Sequence, residues 1–272
     1  MSLGNIRSRL ETQIHLCTLI LFLRSGILKA DDTSLFDLTS NAPAVDQTDL
    51  QFRDLFGIYG SGLCGPASIS HRIIAEKYRS GQKFNSIVLP GGFGPQTDPA
   101  NLIRWLFEIC KTGKNAGTTK LNFRECASEA FEQTGIGKFN FRSLSNENRL
   151  WKGYLKSLKP HILPAFLEVG FYKVAPPLLE LKRVGGHFMA LYSVHGAYDE
   201  PTFKTDVYDS SKLPGDRDNA KYFTELTWRL FKPPAWLKRE GLTDYILSDG
   251  SFLQDDVIVL LDDVLIADES DE

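Results

Sequence analysis

The sequence has no apolar run that approaches the roughly 20 residues a transmembrane helix requires, so we expect no segment that spans a membrane. It also has no basic cluster, and its 31 Lys and Arg against 34 Asp and Glu give a formal net charge of −3. Because nucleic-acid-binding surfaces concentrate positive charge, this balance argues against a nucleic-acid partner. No internal repeat is visible, and the only biased segment is a short acidic end.

Cysteine is scarce, and no two of the four cysteines show the Cys-x-x-Cys spacing of a structural zinc site. The glycine-rich stretch 91–95 lacks the following Lys-Ser/Thr of a phosphate-binding loop. We therefore expect neither a metal ion nor another cofactor.

Residues 1–30 read either as a signal peptide or as an N-terminal helix. Arg7 and Arg9 precede the apolar stretch 16–23, and Ala30 could end a cleavage site, as in secreted proteins. Charges between that stretch and Ala30, and a helical stripe of apolar residues, fit an amphipathic helix instead. The first interpretation places the protein outside the cytoplasm, as a secreted or periplasmic protein. The second allows a cytoplasmic location. In an oxidising compartment Cys110 and Cys126 could form a disulfide.

A cysteine stands in a turn of small residues, 61–68, just before a helical pattern over 69–78. Gly65 and Pro66 suit a first helical turn, where a missing N–H costs nothing. Cys64 would then lie at a helix N-terminus, where unpaired N–H groups and the helix dipole lower the pKa of a thiol. We expect Cys64 to be a nucleophile.

A histidine far downstream could serve as its base. His187 follows two glycines and opens a strand, and residues 203–209 read as the return strand. A hairpin centred near Asp199 places position 187 opposite about position 211, so Asp209 lies diagonal to the imidazole. Because side chains alternate between the two faces of a strand, the Asp206 side chain points to the face opposite to that of Asp209. We therefore expect the Asp209 carboxylate to orient the His187 imidazole, as the third residue of a catalytic triad does.

Three blocks of sequence carry a resemblance to a known family: Cys-Gly-Pro-Ala-Ser at 64–68, Gly-His-Phe-Met-Ala-Leu at 186–191 and Val-Tyr-Asp at 207–209. They resemble the signature blocks of papain-like cysteine peptidases, and within these the double-glycine leader peptidases of bacteriocin exporters. The resemblance implies an α+β fold, with a helical part whose central helix starts at the cysteine, followed by an antiparallel β-sheet. It also implies a peptide or protein substrate.

The chain departs from this family at the oxyanion hole. The family usually places a Gln six residues before the cysteine, and Ile58 stands there. Tyr59 and Ser61 are the nearby side chains able to donate instead, together with the backbone N–H of Cys64. Loss of one oxyanion donor lowers the catalytic rate about 100- to 1,000-fold.

Other patterns divide the chain further. We expect a catalytic domain over 31–265, an acidic tail over 266–272 and an insertion over 212–236, whose aromatic residues either line a substrate cleft or pack a subdomain. Helices are expected from Asp98, as N-cap, and over 122–133 and 148–158, with strands over 161–173 and 257–261.

The function expected from these features is a cysteine peptidase that cleaves a peptide bond with a Cys64 thiolate, His187 as base and Asp209 as orienting group. Two alternatives stay open. One is a thiol acyltransferase, similar to transglutaminases or phytochelatin synthases, and the other is a catalytically silent relative that binds peptides. The sequence leaves the oligomeric state open.

Overall fold

The structure is a computed structural model, and it describes residues 42–48, 62–92, 98–113, 117–144, 163–175, 180–196, 201–211, 218–230, 245–250, 252 and 256–269. All of these belong to one compact unit, Leu35–Glu272. The signal peptide or N-terminal helix expected over 1–30, and the helix expected over 148–158, lie outside the described residues.

Three α-helices precede the sheet within the described ranges: α1 Cys64–Arg79, α2 Pro99–Ile109 and α3 Lys120–Gln133. Short 3-10 helices cover Phe84–Ser86, Pro90–Gly92 and Asn219–Tyr222. The expected N-cap of α2 is confirmed, because the Asp98 side chain accepts a hydrogen bond from the Ala100 N–H at 2.9 Å. Thr119 caps α3 in the same way, accepting from the N–H of Asn122 at 3.2 Å.

Seven strands follow: β1 Phe139–Ser143, β2 Ala165–Ala175, β3 Glu180–His195, β4 Thr202–Tyr208, β5 Phe223–Leu230, β6 Tyr245–Asp249 and β7 Ile258–Glu269. All pairings are antiparallel. Strands β2 to β6 are hydrogen-bonded in chain order, and β7 pairs with both β2 and β6. These six strands therefore close into a barrel, and β1 adds to β7 as a seventh strand.

The papain-like α+β fold expected from the sequence is wrong. More residues lie in strands than in α-helices, and the sheet closes into a barrel rather than forming an open layer behind a helical part. Closure depends on β7 meeting β2, where Phe166 lies opposite Leu265, and meeting β6, where Ile246 lies opposite Leu260. Bulges with an extra residue on β3, β6 and β7 help the sheet to curve. Local periodicity signals the strands but carries no information about such distant pairings.

Side chains of the barrel strands alternate between two hydrophobic layers. On β3, Met189 and Leu191 point into the barrel, whereas Phe188 and Ala190 belong to the layer between the barrel and the helices. Helix α1 packs on this outer layer with Ile69, among other buried residues. The site described below lies where the start of α1 meets β3.

Two segments assigned from the sequence have other roles. Residues 223–230, part of the expected insertion 212–236, form the barrel strand β5, where Trp228 is fully buried and donates its indole N–H to Thr205 Oγ1 at 3.0 Å. Phe231 and Trp236, the other aromatic residues considered for a cleft wall, lie outside the described residues. Residues 266–269, assigned to the acidic tail, form the end of β7 and pair with β1.

A disulfide joins Cys110, directly after α2, to Cys126 in α3. Both cysteines are buried, and 16 residues separate them along the chain. The bond therefore ties together the two helices that precede the sheet.

Replacing both cysteines by alanine should lower the free energy of unfolding by about 3 kcal/mol, since a disulfide closing a loop of this length restricts the unfolded chain to that degree. Urea unfolding of the double variant and of the oxidised wild-type protein measures the difference. An unchanged unfolding midpoint would contradict a stabilising role for the bond.

Candidate functional site

Cys64 is the first residue of α1, as expected, and Leu63 stands at the N-cap position. The carbonyl of Leu63 accepts a hydrogen bond from the Ala67 N–H at 2.8 Å, which closes the first helical turn. Cys64 is the free cysteine of the described residues, and 8% of it is exposed. The thiol therefore lies at a helix N-terminus, close to solvent but largely desolvated.

Gly65, the residue after Cys64, packs closely against the segment that leads into α3, which explains why a small residue stands there. A Cβ on Gly65 would lie 2.7 Å from Thr118 Oγ1 and 3.3 Å from the ring of Phe123. Thr118 itself is held by a hydrogen bond to Thr112 Oγ1 at 2.7 Å. The segment closed by the disulfide thus supports the turn that carries Cys64.

The structure brings His187 and Asp209 together. The imidazole Nε2 lies 3.0 Å from Asp209 Oδ1, and both side chains are buried. The hairpin has the expected register here, because Ala190 lies opposite Tyr208, which extrapolates to position 187 opposite 211. Asp206 lies away from His187 and contacts His195 at 2.6 Å.

Further hydrogen bonds hold the Asp209 carboxylate in place. Its Oδ1 accepts from the Ser211 N–H at 3.0 Å and from Ser211 Oγ at 2.7 Å, and its backbone N–H donates to the Tyr222 carbonyl at 3.0 Å. Burial opposes ionisation of Asp209, but the bonds from His187 and Ser211 outweigh it and lower the pKa of this carboxyl. Asp209 is therefore an ionised acceptor that fixes the orientation of the imidazole.

The imidazole also hydrogen-bonds the Cys64 thiol. Since Nε2 of His187 faces Asp209, Nδ1 is the ring atom left for the sulfur. Burial alone would raise the pKa of Cys64, but the hydrogen bond and charge of His187, together with the backbone N–H groups of Phe188 and Gly65, lower it. The three predicted catalytic side chains thus form one connected unit.

The pKa of His187 moves in the complementary direction. Burial opposes the charged imidazolium, but the hydrogen bonds to Asp209 and Cys64 and the charges of both raise the pKa of His187 to about 10. A lowered thiol pKa beside a raised imidazole pKa favours a thiolate–imidazolium pair at neutral pH.

The expected oxyanion donors Tyr59 and Ser61, and Ile58 before them, lie outside the described residues. What the structure describes is the start of α1, whose first-turn N–H groups have no intrahelical acceptor. The backbone N–H of Cys64 belongs to this group, and such a group is the kind of donor that can stabilise a developing negative charge.

Phe252 is a neighbour of the site that the sequence did not reveal. Its ring centroid lies 5.3 Å from that of His187 and 5.9 Å from that of Phe171, so it covers one side of the imidazole. No sequence signal could have found it, because it stands in a segment between β6 and β7, 65 positions after His187.

The other described histidines are not joined to this unit. His71 is buried, stacks on Tyr208 at a centroid distance of 3.3 Å and has its Nδ1 2.8 Å from the Tyr192 hydroxyl. Burial and the neighbouring Arg72 hold the pKa of His71 well below its usual value, so it is a neutral packing residue. His161 lies outside the described residues.

In the part of the chain that the structure describes, no three His, Cys, Asp or Glu side chains are grouped as metal ligands would be. None of the described helices has the length and apolar character needed to cross a bilayer. Comparisons of the chain with protein-family models, with curated proteins and with solved structures find no match.

Proposed function

We propose that the protein is a cysteine peptidase, a thiol hydrolase that cleaves a peptide bond. The observation that carries this proposal is the connected unit of Cys64 at the N-terminus of α1, His187 at its thiol and Asp209 on the far ring nitrogen. Nucleophile, base and orienting group are the three parts that covalent acyl transfer by a thiol requires.

In the first half of the reaction the Cys64 thiolate attacks the carbonyl carbon of the scissile bond. The backbone N–H of Cys64, at the start of α1, stabilises the resulting oxyanion. The His187 imidazolium then gives its proton to the leaving nitrogen, the C–N bond breaks, and the acyl group stays on the sulfur as a thioester.

In the second half, neutral His187 takes a proton from a water molecule, which attacks the thioester carbonyl. Breaking the C–S bond releases the carboxylic acid product and restores the thiolate–imidazolium pair. Asp209 keeps one ring orientation through both halves because its carboxylate is itself held by Ser211 and the chain after β4.

The pH dependence of iodoacetamide alkylation at Cys64 tests the proposal. Since the pKa of Cys64 is lowered, its thiolate persists as the pH falls, and we expect fast labelling at neutral pH and below, where an ordinary thiol is mostly protonated. Labelling is lost only when acid protonates the thiolate. Peptide mass mapping measures the rate at Cys64, with N-acetylcysteine as the reference thiol. Labelling no faster than the reference at neutral pH would contradict the proposal.

We also propose a secreted or periplasmic location rather than a cytoplasmic one. The Cys110–Cys126 disulfide supports this location, because such bonds persist in oxidising compartments and are rare in the cytosol. Mass spectrometry of protein alkylated without reduction, directly from its native source, should find both cysteines unlabelled.

A further inference from the structure

The orienting carboxylate of the proposed catalytic unit stands just beyond the end of strand β4. The last pair between β3 and β4 is Ala190 opposite Tyr208, so the pairing with β3 ends one residue before Asp209. On its other side, the Asp209 N–H donates to the Tyr222 carbonyl at 3.0 Å. The contact of Asp209 with His187 therefore depends on what else holds the chain directly after β4.

A segment from before α1, residues 45–47, binds this chain on both sides of the orienting residue and is here called the strap. The Tyr208 hydroxyl accepts a hydrogen bond from the Val45 N–H at 2.8 Å and donates to the Val45 carbonyl at 3.2 Å. The Gln47 N–H donates to the Ser210 carbonyl at 3.1 Å, and the Ser210 hydroxyl donates to Gln47 Oε1 at 2.8 Å. These bonds fix the residues that stand directly before and after the orienting one.

The strap is part of the packed interior. Val45 is fully buried in the layer between the barrel and the helices, and Asp46 and Gln47 are buried as well. Burial holds the pKa of Tyr208 well above its usual value, so its hydroxyl stays protonated and keeps its proton for the Val45 carbonyl. Hydrogen bonds in such a place are shielded from competition with water and hold their partners firmly.

Three consecutive side chains connect the strap to the proposed site. Tyr208 and Ser210 bind the strap, whereas the Asp209 carboxylate between them lies 3.0 Å from the imidazole Nε2 of His187. Consecutive side chains at the end of a strand point to opposite sides of the chain. The strap therefore holds this chain from the side opposite to the imidazole, and any displacement of the strap moves the backbone that carries the carboxylate.

We propose that Gln47 is a positioning residue for the proposed catalytic unit. Its bonds to Ser210 keep the backbone at Asp209 in place, so the carboxylate meets the imidazole without having to be ordered first. This inference rests on the proposed function. Gln47 acts through Ser210 and Asp209, and it stands 17 positions before Cys64, in a part of the chain to which the sequence patterns assign no role in the site.

A looser Asp209 should be visible in the titration of the imidazole. Among the described residues, the titratable groups that contact His187 are Asp209, after β4, and Cys64, on α1. Burial lowers the pKa of His187, but the hydrogen bonds and charges of these two groups outweigh it and raise the pKa to about 10. When Asp209 is held less firmly, the pKa of His187 should fall. The pKa of Cys64 should rise, because the thiolate loses part of its imidazolium partner.

Gln47→Ala is the first test variant, because it removes the side-chain bond to Ser210 and keeps the backbone bond. The titration of His187 is followed by NMR of protein labelled with carbon-13 at histidine Cε1, and the His187→Ala spectrum identifies the signal. We expect the pKa of His187 to fall by about 0.5 to 1, which corresponds to the loss of one hydrogen bond. Iodoacetamide labelling of Cys64 should slow about threefold to tenfold at pH values where the thiolate is partly protonated.

Ser210→Ala is the second test variant. It removes the same hydrogen bond from the other side and keeps the carbonyl that the Gln47 N–H binds, so it should lower the pKa of His187 equally. The double variant should show no larger shift than either single variant, because both remove one shared bond. Ser210→Ala also decides the matter if Gln47→Ala fails to fold, which urea unfolding reveals.

Thr48→Ala is the matched control. The Thr48 hydroxyl donates to Asp46 Oδ1 at 2.7 Å, so this variant also removes one side-chain hydrogen bond at the strap, but none to the chain around Asp209. It should leave both the titration of His187 and the labelling of Cys64 unchanged.

Three outcomes would overturn the positioning role. They are an unchanged His187 titration in a folded Gln47→Ala or Ser210→Ala variant, additive shifts in the double variant, and an equal shift in Thr48→Ala. If wild-type His187 titrates as an ordinary histidine and Cys64 shows no fast labelling, the proposed peptidase function fails, and the role of Gln47 fails with it. A raised His187 pKa and fast labelling in the wild type, without any effect of Gln47, remove the positioning role alone.

Discussion

Cys64→Ala should reduce peptide cleavage by about a thousandfold or more, because in the proposed reaction the Cys64 sulfur forms the covalent intermediate. The fold should survive the change. Cys64 lies at the start of α1 rather than within the helix, and replacing it removes one sulfur atom from a site that retains some exposure. We expect the free energy of unfolding to change by less than about 2 kcal/mol.

Turnover of a fluorogenic peptide that the wild-type protein cleaves, together with urea unfolding, checks both parts of this expectation. Ser70→Ala is the matched control, because Ser70 is a small buried residue of the same helix whose hydroxyl has no hydrogen-bond partner among the described residues. Cleavage by a folded Cys64→Ala variant at the wild-type rate would remove the peptidase proposal.

His187→Ala should also lower cleavage by about a thousandfold, since the proposed reaction uses this imidazole both to protonate the leaving group and to activate water. A second effect adds to the first. Without the imidazole, burial of Cys64 is opposed only by backbone N–H groups, so the pKa of the thiol rises and the thiolate becomes scarce at neutral pH. Iodoacetamide labelling of Cys64 should therefore slow as well, and should recover at alkaline pH.

Asp209→Asn should cost less than His187→Ala, because it weakens the orientation of the imidazole and leaves the proton-transfer group in place. His195→Ala is the matched control for both. It removes an exposed imidazole from the C-terminal end of β3, where the ring contacts Asp206, and it should leave cleavage unchanged. A larger loss in Asp209→Asn than in His187→Ala would mean that another group is the true partner of the thiol.

Local sequence was sufficient for the features that depend on neighbouring residues. The small-residue turn and the helical pattern after it place Cys64 at the start of α1, and Asp98 marks the start of α2 because its own carboxylate caps the helix. The hairpin is nearly local too. A short connection between β3 and β4 sets the register, so alternation alone selects Asp209 over Asp206 as the neighbour of His187.

The distant pairings were not accessible in this way. Closure of the barrel needs β7 to meet both β2 and β6, and the ion pairs of Arg183 with Glu168 and Asp262 need β3, β2 and β7 to lie side by side. The pairing of Cys110 with Cys126 likewise required the distance between α2 and α3. Composition and periodicity report which face of an element is buried, but not which partner buries it. The chain alone therefore singled out the three residues of the proposed catalytic unit, whereas the barrel and the neighbours of the Cys64 thiol follow from contacts between segments far apart in sequence.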